Sequence, residues 1–251
     1  MSATRPRRRW LRWLLAGLAL LVLLGVGGPF VYIHFIEGPA PAPLTLPSLN
    51  TTTTAGNTST TAGSGTTTTT KGGSTGAGVT GTWVVGSGSQ AGYRVQEVLA
   101  GQNNTAVGRT SRVTGTISIH DSTVSTASFL VDLRTVHSNE SQRDAQFNGR
   151  IMNTAEYPDA TFKLTKPIVL GSVPAIDKTI TDAATGTLTM HGTTRSVSFT
   201  VEARYTGSEI QVSGSISIVF ADWNIGNPSF AGFVTTQNHG LLEFLLITKR
   251  S

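Results

Sequence analysis

Cysteine is absent from all 251 residues of the chain. A chain without thiols forms no disulfide, offers no thiolate to a metal ion and has no cysteine that a lipid could modify after export. The absence excludes these three kinds of site, although it does not identify the compartment. No cofactor is expected from the residues that remain.

Charge is scarce, because only 13% of the residues are Asp, Glu, Lys or Arg, and the net charge of +5 is unevenly placed. Five of the cations lie in the first twelve residues: Arg5, Arg7, Arg8, Arg9 and Arg12. Residues 81–251 hold 13 basic and 13 acidic side chains. A formally neutral domain offers no electrostatic attraction to a phosphate backbone, so we do not expect a nucleic-acid partner.

Large apolar side chains are almost missing from residues 37–80, where twelve of the twenty residues between 51 and 70 are threonine. Such a segment cannot bury enough apolar area to offset its conformational entropy. We predict a disordered linker over 37–80 and one folded domain over 81–251. The sequence GGSTG at 72–76 matches the G-x-S-x-G pattern of serine hydrolases, but no strand and helix flank it, so we interpret it as linker.

A long apolar run is present only near the N-terminus, over residues 13–36 (WLLAGLALLVLLGVGGPFVYIHFI). It exceeds the roughly 20 residues that a membrane-spanning helix needs. The arginines before it place residues 1–12 in the cytoplasm and everything after it outside the cell membrane. The alternative is a cleaved signal peptide, whose apolar region is usually shorter, about 7–15 residues. The small-residue triplet Ala40-Pro41-Ala42 is followed by Pro43, which is a poor residue at a cleavage site.

Apolar and polar residues alternate along much of 81–251, which predicts an all-β domain of antiparallel strands with one apolar face each. The predicted strands are 113–119, 128–133, 161–164, 186–190, 196–205, 212–220 and 241–247. The last is apolar on both faces except at Glu243, which predicts a closing strand covered on its outer side. Residues 138–151 are the one predicted helical segment.

The apolar faces of these strands are expected to point inward together. Periodicity alone does not decide whether they fill a core or surround a ligand cavity. The inward residues, and the candidate ligand-binding residues if the barrel is hollow, are Val113, Ile117, Ile119, Phe129, Val131, Leu133, Phe162, Leu164, Leu188, Met190, Val197, Phe199, Val201, Val212, Ile216 and Ile218.

Four ordered motifs resemble the YceI-like family. They are SQRDAQFNGRIMNTAEYPDATF at 141–162, GTLTMHGTTRSVSF at 186–199, FADWNIG at 220–226, and the aromatic residues Trp83 and Tyr93 in the opening strands. Two segments depart from the family pattern, Trp223-Asn224-Ile225 and Asn238-His239-Gly240. The resemblance implies a lipocalin-like barrel of about eight antiparallel strands whose interior holds a polyisoprenoid or similar chain.

The polar candidates have structural alternatives. Arg143, Asp144 and His191 are possible contacts for a ligand head group, yet an Arg-Asp pair on a short helix also stabilises a fold, and a histidine in a turn is usually solvated. No two of the domain's four histidines have the i, i+2 or i+4 spacing of metal ligands, so no metal site is predicted.

Three classes of function follow. The first is a membrane-anchored, extracytoplasmic carrier or buffer of polyisoprenoid-type lipid. The second is a binder of another amphiphile, such as a fatty amide or quinone, with a stress-protective role. The third is a hydrolase or metal enzyme, and without a nucleophile motif we expect no enzyme.

The anchor interpretation predicts that the full-length protein stays in the membrane fraction at high salt. Protease added to the outside of cells should then cut within residues 37–80. Fractionation followed by mass spectrometry of the released fragment measures both. A soluble product that begins near residue 43 would instead establish a cleaved signal peptide.

Overall fold

The computed structural model describes residues 13–18, 20, 40–49, 78–99, 101–229 and 234–251. Residues 13–18 are helical. Within the described ranges, no helix has both the length and the apolar character needed to cross a bilayer. The predicted cytoplasmic tail and most of the predicted span over 13–36 lie outside these residues, so the anchor stays a prediction.

Within the described residues, twelve strands form one antiparallel sheet. They are β1 (Gly81–Val85), β2 (Gln90–Leu99), β3 (Gln102–Thr110), β4 (Val113–His120), β5 (Thr123–Asp132), β6 (Asp159–Leu164), β7 (Ile168–Val169), β8 (Thr179–Met190), β9 (Thr193–Tyr205), β10 (Glu209–Val219), β11 (Val234–Thr236) and β12 (His239–Arg250).

The sheet closes on itself through the first and last strands. β1 pairs on one side with β4, where Trp83 lies opposite Ile117, and on the other side with β12, where Trp83 lies opposite Arg250. The closed circuit is β1-β4-β5-β6-β8-β9-β10-β12, which returns to β1. The predicted barrel of about eight antiparallel strands is therefore confirmed.

β1 and β2 lie end to end along β12 and are separated by residues 86–89. Together with β3 and β4 they form the opening hairpin of the barrel. On the partner side, β4 pairs with β1 and β3 pairs with β2. At the interruption, the buried Ser89 hydroxyl accepts a hydrogen bond from Ile247 N (2.9 Å) and donates one to Ile247 O (3.2 Å). The side chain thereby replaces the missing backbone partner of β12.

Residues 133–158 cover one end of the barrel, which we call the helical end. They contain a 3₁₀ turn (Leu133–Thr135), the helix α1 (Ser141–Gln146) and a π-helical turn (Phe147–Ile151). A second 3₁₀ turn, Phe220–Trp223, lies at the same end. The predicted helical segment over 138–151 is thus present as one short helix and its π-helical continuation.

The opposite end, where residue 78 leads into β1, is called the linker end. Asp121 N donates to Thr80 Oγ1, Leu170 N donates to Ser122 O, and Ser251 N donates to Thr82 O there. Buried Val79 and Trp83 pack with Ile117, Ile119 and Ile210 near this end. The turns between β4 and β5 and between β9 and β10 belong to it, as do residues 165–178.

One part of the predicted disordered linker is ordered. Residues 40–49 (APAPLTLPSL), which we call the strap, lie across the outer face of the barrel. Arg94 Nη2 donates to Pro41 O (2.6 Å), Arg109 donates to Ala42 O, and Arg204 donates to Pro47 O. Prolines lack an N–H and cannot extend a sheet, but their carbonyls still accept hydrogen bonds. Composition predicted disorder because the strap's partners are side chains on distant strands.

Strand prediction succeeded where alternation is regular and failed elsewhere. β3 (QNNTAVGRT) and the first half of β8 (TITDAAT) were not predicted, because their inner positions include alanine and polar residues that weaken the two-residue period. The outer side of β12 is covered as expected, since Glu243 and Ile247 are buried.

Ser89→Ala should destabilise the domain by about 1–3 kcal/mol, because it leaves the N–H of Ile247 without a partner, while Ile247 O keeps the hydrogen bond from Gly86 N. Ser87→Ala is the matched control, since Ser87 is exposed in the same interruption. Urea unfolding of both variants measures the difference. Equal stability of the two variants would show that the hydroxyl does not replace the ladder hydrogen bonds.

Candidate functional site

A cavity of about 680 Å³ lies inside the barrel. Its lining extends from Glu140 and Arg150 at the helical end to Val79 and Ile168 at the linker end. Most of the lining side chains are aliphatic or aromatic, and the volume falls in the range of about 300–1,000 Å³ that is typical of small-molecule sites. The interior is therefore hollow.

The predicted inward residues surround this cavity with one exception. Fifteen of the sixteen line it, whereas Val197 is buried in the neighbouring core and does not reach the lining. Leu133 lines the cavity from the 3₁₀ turn and not from a strand. The structure brings these side chains together, and their contact with a ligand stays a prediction.

Aromatic rings lie flat against the inner wall because glycines face them. A Cβ on Gly186 would approach Phe162 Cζ to 2.4 Å, and one on Gly214 would approach Phe244 Cζ to 2.7 Å. The same arrangement joins Gly108 to Tyr93 and Gly115 to Phe129. A ring that occupies the space of a missing side chain does not project to the barrel axis. These pairs keep the interior open while the wall stays packed.

The rings also contact one another around the wall. Phe199 makes edge-to-face contacts with Phe162 (5.4 Å between centroids) and with Phe244 (5.9 Å), and Phe129 stacks on Phe162 at 6.5 Å. Aromatic pairs of this kind contribute about 0.5–1.5 kcal/mol beyond burial. They form a firm apolar surface at mid-barrel.

Polar side chains join the lining at the helical end. They are Glu97, Glu140, Gln142, Arg143, Gln146 and Arg150. Arg143 Nη2 lies 3.3 Å from Glu97 Oε1, and both side chains are largely buried. With two carboxylates and two guanidinium groups, this end is balanced in charge.

Tyr93 lies between this polar end and the apolar wall. Its ring stacks on Phe147 at 5.2 Å between centroids. Burial raises the pKa of the Tyr93 phenol, so the hydroxyl stays neutral over the physiological range.

Only one of the three predicted head-group residues reaches the cavity. Arg143 lines it, as described above. Asp144 turns away and accepts hydrogen bonds from Ser138 N (2.8 Å) and Ser138 Oγ (2.7 Å). His191 occupies a left-handed turn with φ 49°, where its ring lies 4.8 Å from that of Tyr157 and its Nδ1 lies 3.0 Å from Trp223 O. The contacts of Asp144 and His191 are those of residues that hold the fold.

A loop at the linker end, residues 165–178, combines two apolar faces. Ile168, Leu170 and Pro174 line the cavity. Val169, Val173 and Ile176 are 68%, 50% and 61% exposed, which makes them the most exposed large apolar side chains among the described residues of 78–251. Lys166 and Lys178, both exposed, lie at the two ends of this apolar stretch.

Several lining residues were not recognised from the sequence. Phe147 comes from the helical segment, and Phe244, Leu242 and Leu246 come from a strand apolar on both faces, where alternation does not show which side points inward. The pairing of glycine with a ring on the neighbouring strand is the signal that could have identified Phe244. It requires the strand register, which periodicity does not supply.

The histidines are dispersed, and within the described part of the chain no three His, Asp or Glu side chains are grouped as metal ligands would be. The described cavity lining also contains no histidine, serine or lysine.

Comparison with known proteins identifies one family model, that of the YceI-like domain, which matches residues 83–244. No curated protein sequence matches the chain.

Among solved structures, the chain is similar to a polyisoprenoid-binding domain from Saccharophagus degradans, with 17% identity and a TM-score of 0.57 over 68% of this chain and 99% of that one. It is also similar to BcnA of Burkholderia cenocepacia, with 19% identity and a TM-score of 0.46 over 62% and 95%. The YCEI protein of Campylobacter jejuni gives 17% identity and 0.46 over 57% and 84%. At 17% identity, the likeness to the Saccharophagus degradans domain shows the fold alone.

Gly214→Ala should destabilise the domain by about 1–3 kcal/mol, the usual cost of overpacking, because the new methyl group meets the Phe244 ring. It should also reduce the space in the cavity, since the ring can yield only inward. Gly149→Ala is the control, because a Cβ there meets nothing within 4 Å. Thermal unfolding measures the first effect, and the binding capacity for a fluorescent apolar dye measures the second. Unchanged values for Gly214→Ala would show that the ring is free to move along the wall.

Proposed function

Because this chain belongs to the YceI-like family, we propose that its barrel is a binding protein for a long-chain lipid of the polyisoprenoid type. The lipid lies in the interior, and the protein stores, transports or buffers it at the outer face of the cell membrane. The domain is held there by the predicted membrane helix over residues 13–36.

The observation that carries this proposal is the open apolar interior. The cavity extends along the barrel between its two ends, so it suits an elongated apolar chain better than a compact ligand. Each buried methylene contributes about 0.8 kcal/mol. A long chain therefore gains much from entering, and the ring-lined wall at mid-barrel supplies the contact.

Anchoring serves a lipid binder for an energetic reason. The bilayer buries the same methylene groups, so transfer from bilayer to barrel has a small net free energy. A domain attached to its lipid source compensates, because attachment raises the effective concentration of one with respect to the other.

A second candidate ligand is another amphiphile, such as a fatty amide or quinone, in a stress-protective role. The balanced charges at the helical end favour it, because a neutral polar head group fits two carboxylates and two guanidinium groups better than a multiply charged phosphate does. Mass spectrometry of the extracted ligand distinguishes the two.

We propose that the protein acts by binding and not by catalysis. The described lining offers apolar walls and a charge-balanced end, without the histidine and serine of a hydrolytic triad. Extraction of an unaltered lipid supports this proposal, and release of a hydrolysed product from an ester substrate would contradict it.

Ile216→Trp tests whether the cavity is the binding site. The indole should enter the empty interior with a mild change in thermal stability and a large loss of bound lipid. In a filled barrel the same change would overpack the core, at a typical cost of about 1–3 kcal/mol. Ser217→Trp is the control, because residue 217 is exposed on the same strand.

The measurement is thermal unfolding of each variant, stripped and reloaded with lipid, together with mass spectrometry of organic extracts. If the unsubstituted protein carries no lipid and Ile216→Trp unfolds it, the lipid-binding proposal is wrong.

A further inference from the structure

The strap is held by a small set of contacts on the outer wall. Arg94 and Arg109 donate to its first carbonyls, and Arg204 on β9 donates near its other end. The strap therefore crosses from the β2–β3 side of the wall, past β12 and β10, to β9.

The two arginines at the start of the strap belong to a buried ion cluster. Glu243 on β12 is 5% exposed, and its carboxylate lies 2.6 Å from Arg94 Nε and 3.4 Å from Arg109 Nη2. A buried carboxylate must be paired. These arginines are thus fixed in place by the barrel and present their remaining N–H groups to the strap.

The strap itself is weakly attached. All its residues are exposed except Leu44 and Leu46, which are half-buried. The Nε groups of Arg109 and Arg204 are buried without an acceptor among the described residues, so docking leaves part of their hydrogen-bonding capacity unused. A segment with little buried apolar surface belongs to the low-stability part of a structure and opens easily.

Docking changes how far the barrel extends from the membrane. With the strap docked, only residues 37–39 separate it from the predicted helix, and four Cα steps of about 3.5 Å limit the distance to ~14 Å. With the strap released, the predicted disordered linker over 37–80 would have a root-mean-square span of about 36 Å over its 44 residues.

Docking also decides which end of the barrel lies near the bilayer. The strap starts on β2 and β3, and Arg94 lies opposite Leu241 in the helical half of β12. The apolar loop 165–178 lies at the linker end, where Leu170 N donates to Ser122 O and Asp177 N donates to Tyr205 O. A short connection near the helical half keeps the loop at the far end.

The released state gives the loop access to the bilayer. Its exposed Val169, Val173 and Ile176 suit insertion among lipid tails, and Lys166 and Lys178 suit the anionic head groups. The opposite face of the same loop lines the cavity, so a lipid taken up there enters the interior beside the loop.

From these observations we infer that the strap gates lipid exchange: docked, it holds the apolar loop away from the bilayer, and released, it lets the loop contact the bilayer and exchange lipid with the cavity. This inference rests on the proposed function and on the predicted anchor.

The first test is whether the strap opens. Since the chain has no cysteine, spin labels can be placed at Thr45→Cys on the strap and Ser217→Cys on β10, both exposed. In full-length protein reconstituted in anionic vesicles, pulsed electron paramagnetic resonance should show a narrow distance population and a broad one. Leu44→Ser with Leu46→Ser should convert the narrow population to the broad one. Leu49→Ser, which removes an exposed leucine from the same segment, should not.

The second test is the rate of lipid uptake. The reconstituted bilayer carries a fluorescent isoprenoid alcohol and a lipid-linked quencher, so uptake into the barrel restores fluorescence. The double serine variant should take up the probe about threefold faster or more. The factor depends on the fraction of the original protein in which the strap is already released, because uptake is proportional to that fraction. Val169→Ser with Ile176→Ser should slow uptake and abolish the gain. Val219→Ser, an exposed aliphatic residue of β10, is the control for the loop.

The outcomes separate the two proposals. Uptake that is unaffected by strap release, with the strap shown to be open, overturns the gate and leaves lipid binding intact. A strap that stays docked in the double variant overturns the role of Leu44 and Leu46 in holding it, and with it the gate as described. No uptake by any variant or by the original protein contradicts the proposed function itself.

Discussion

The interior of this barrel depends on one repeated interaction, an aromatic ring packed over a glycine on the neighbouring strand. Wherever Phe162 or Phe244 lies against Gly186 or Gly214, the ring fills the space of an absent side chain and leaves the axis empty. A filled barrel of this size would need large side chains that meet at the axis. The open cavity is thus a consequence of where the glycines fall in the strand register, and the hydrophobic stripe by itself does not produce it.

The outer wall follows a different rule. Along most strands it carries serine and threonine, which meet water. Near β12 it carries a buried carboxylate and three arginines that bind a segment of the chain from outside the sheet. The packing of rings against glycines determines the inner face of the wall, and ion pairs determine the outer face of β12. A single strand, β12, carries both, with Leu242 and Phe244 directed to the cavity and the Glu243 carboxylate paired with the arginines of the outer wall.

Much of this architecture could be predicted from the sequence, and the failures have physical reasons. Alternation at Ile216 and Ile218 predicts their strand and their inward direction, because burial of one face imposes a two-residue period. Alternation cannot show that Val197 misses the cavity. This residue alternates correctly but is buried in the core beside the cavity. Alternation gives no sign of the strap either. The hydrogen bond from Arg204 to Pro47 O joins residues far apart in sequence, and the composition of the segment indicates only a proline-rich linker. The sequence does not show whether Asp144 contacts a ligand or stabilises the fold, because both roles place a carboxylate at the start of a helix. The hydrogen bonds from Ser138 show that Asp144 stabilises the fold.

The closure of the sheet through Trp83 and Arg250 has a consequence for how the molecule is made. β12 pairs with β10, β2 and β1, so the ring of strands cannot close before the last residues of the chain are available. Contacts between the two ends of a domain slow folding, because the intervening loop must be ordered first. On the predicted topology, residues 1–12 stay in the cytoplasm and the domain crosses the membrane behind the predicted helix over 13–36, so the apolar faces that β12 covers stay exposed until translocation is complete. Chaperones outside the membrane would then have that interval in which to act, and its length would be determined by the position of one C-terminal strand.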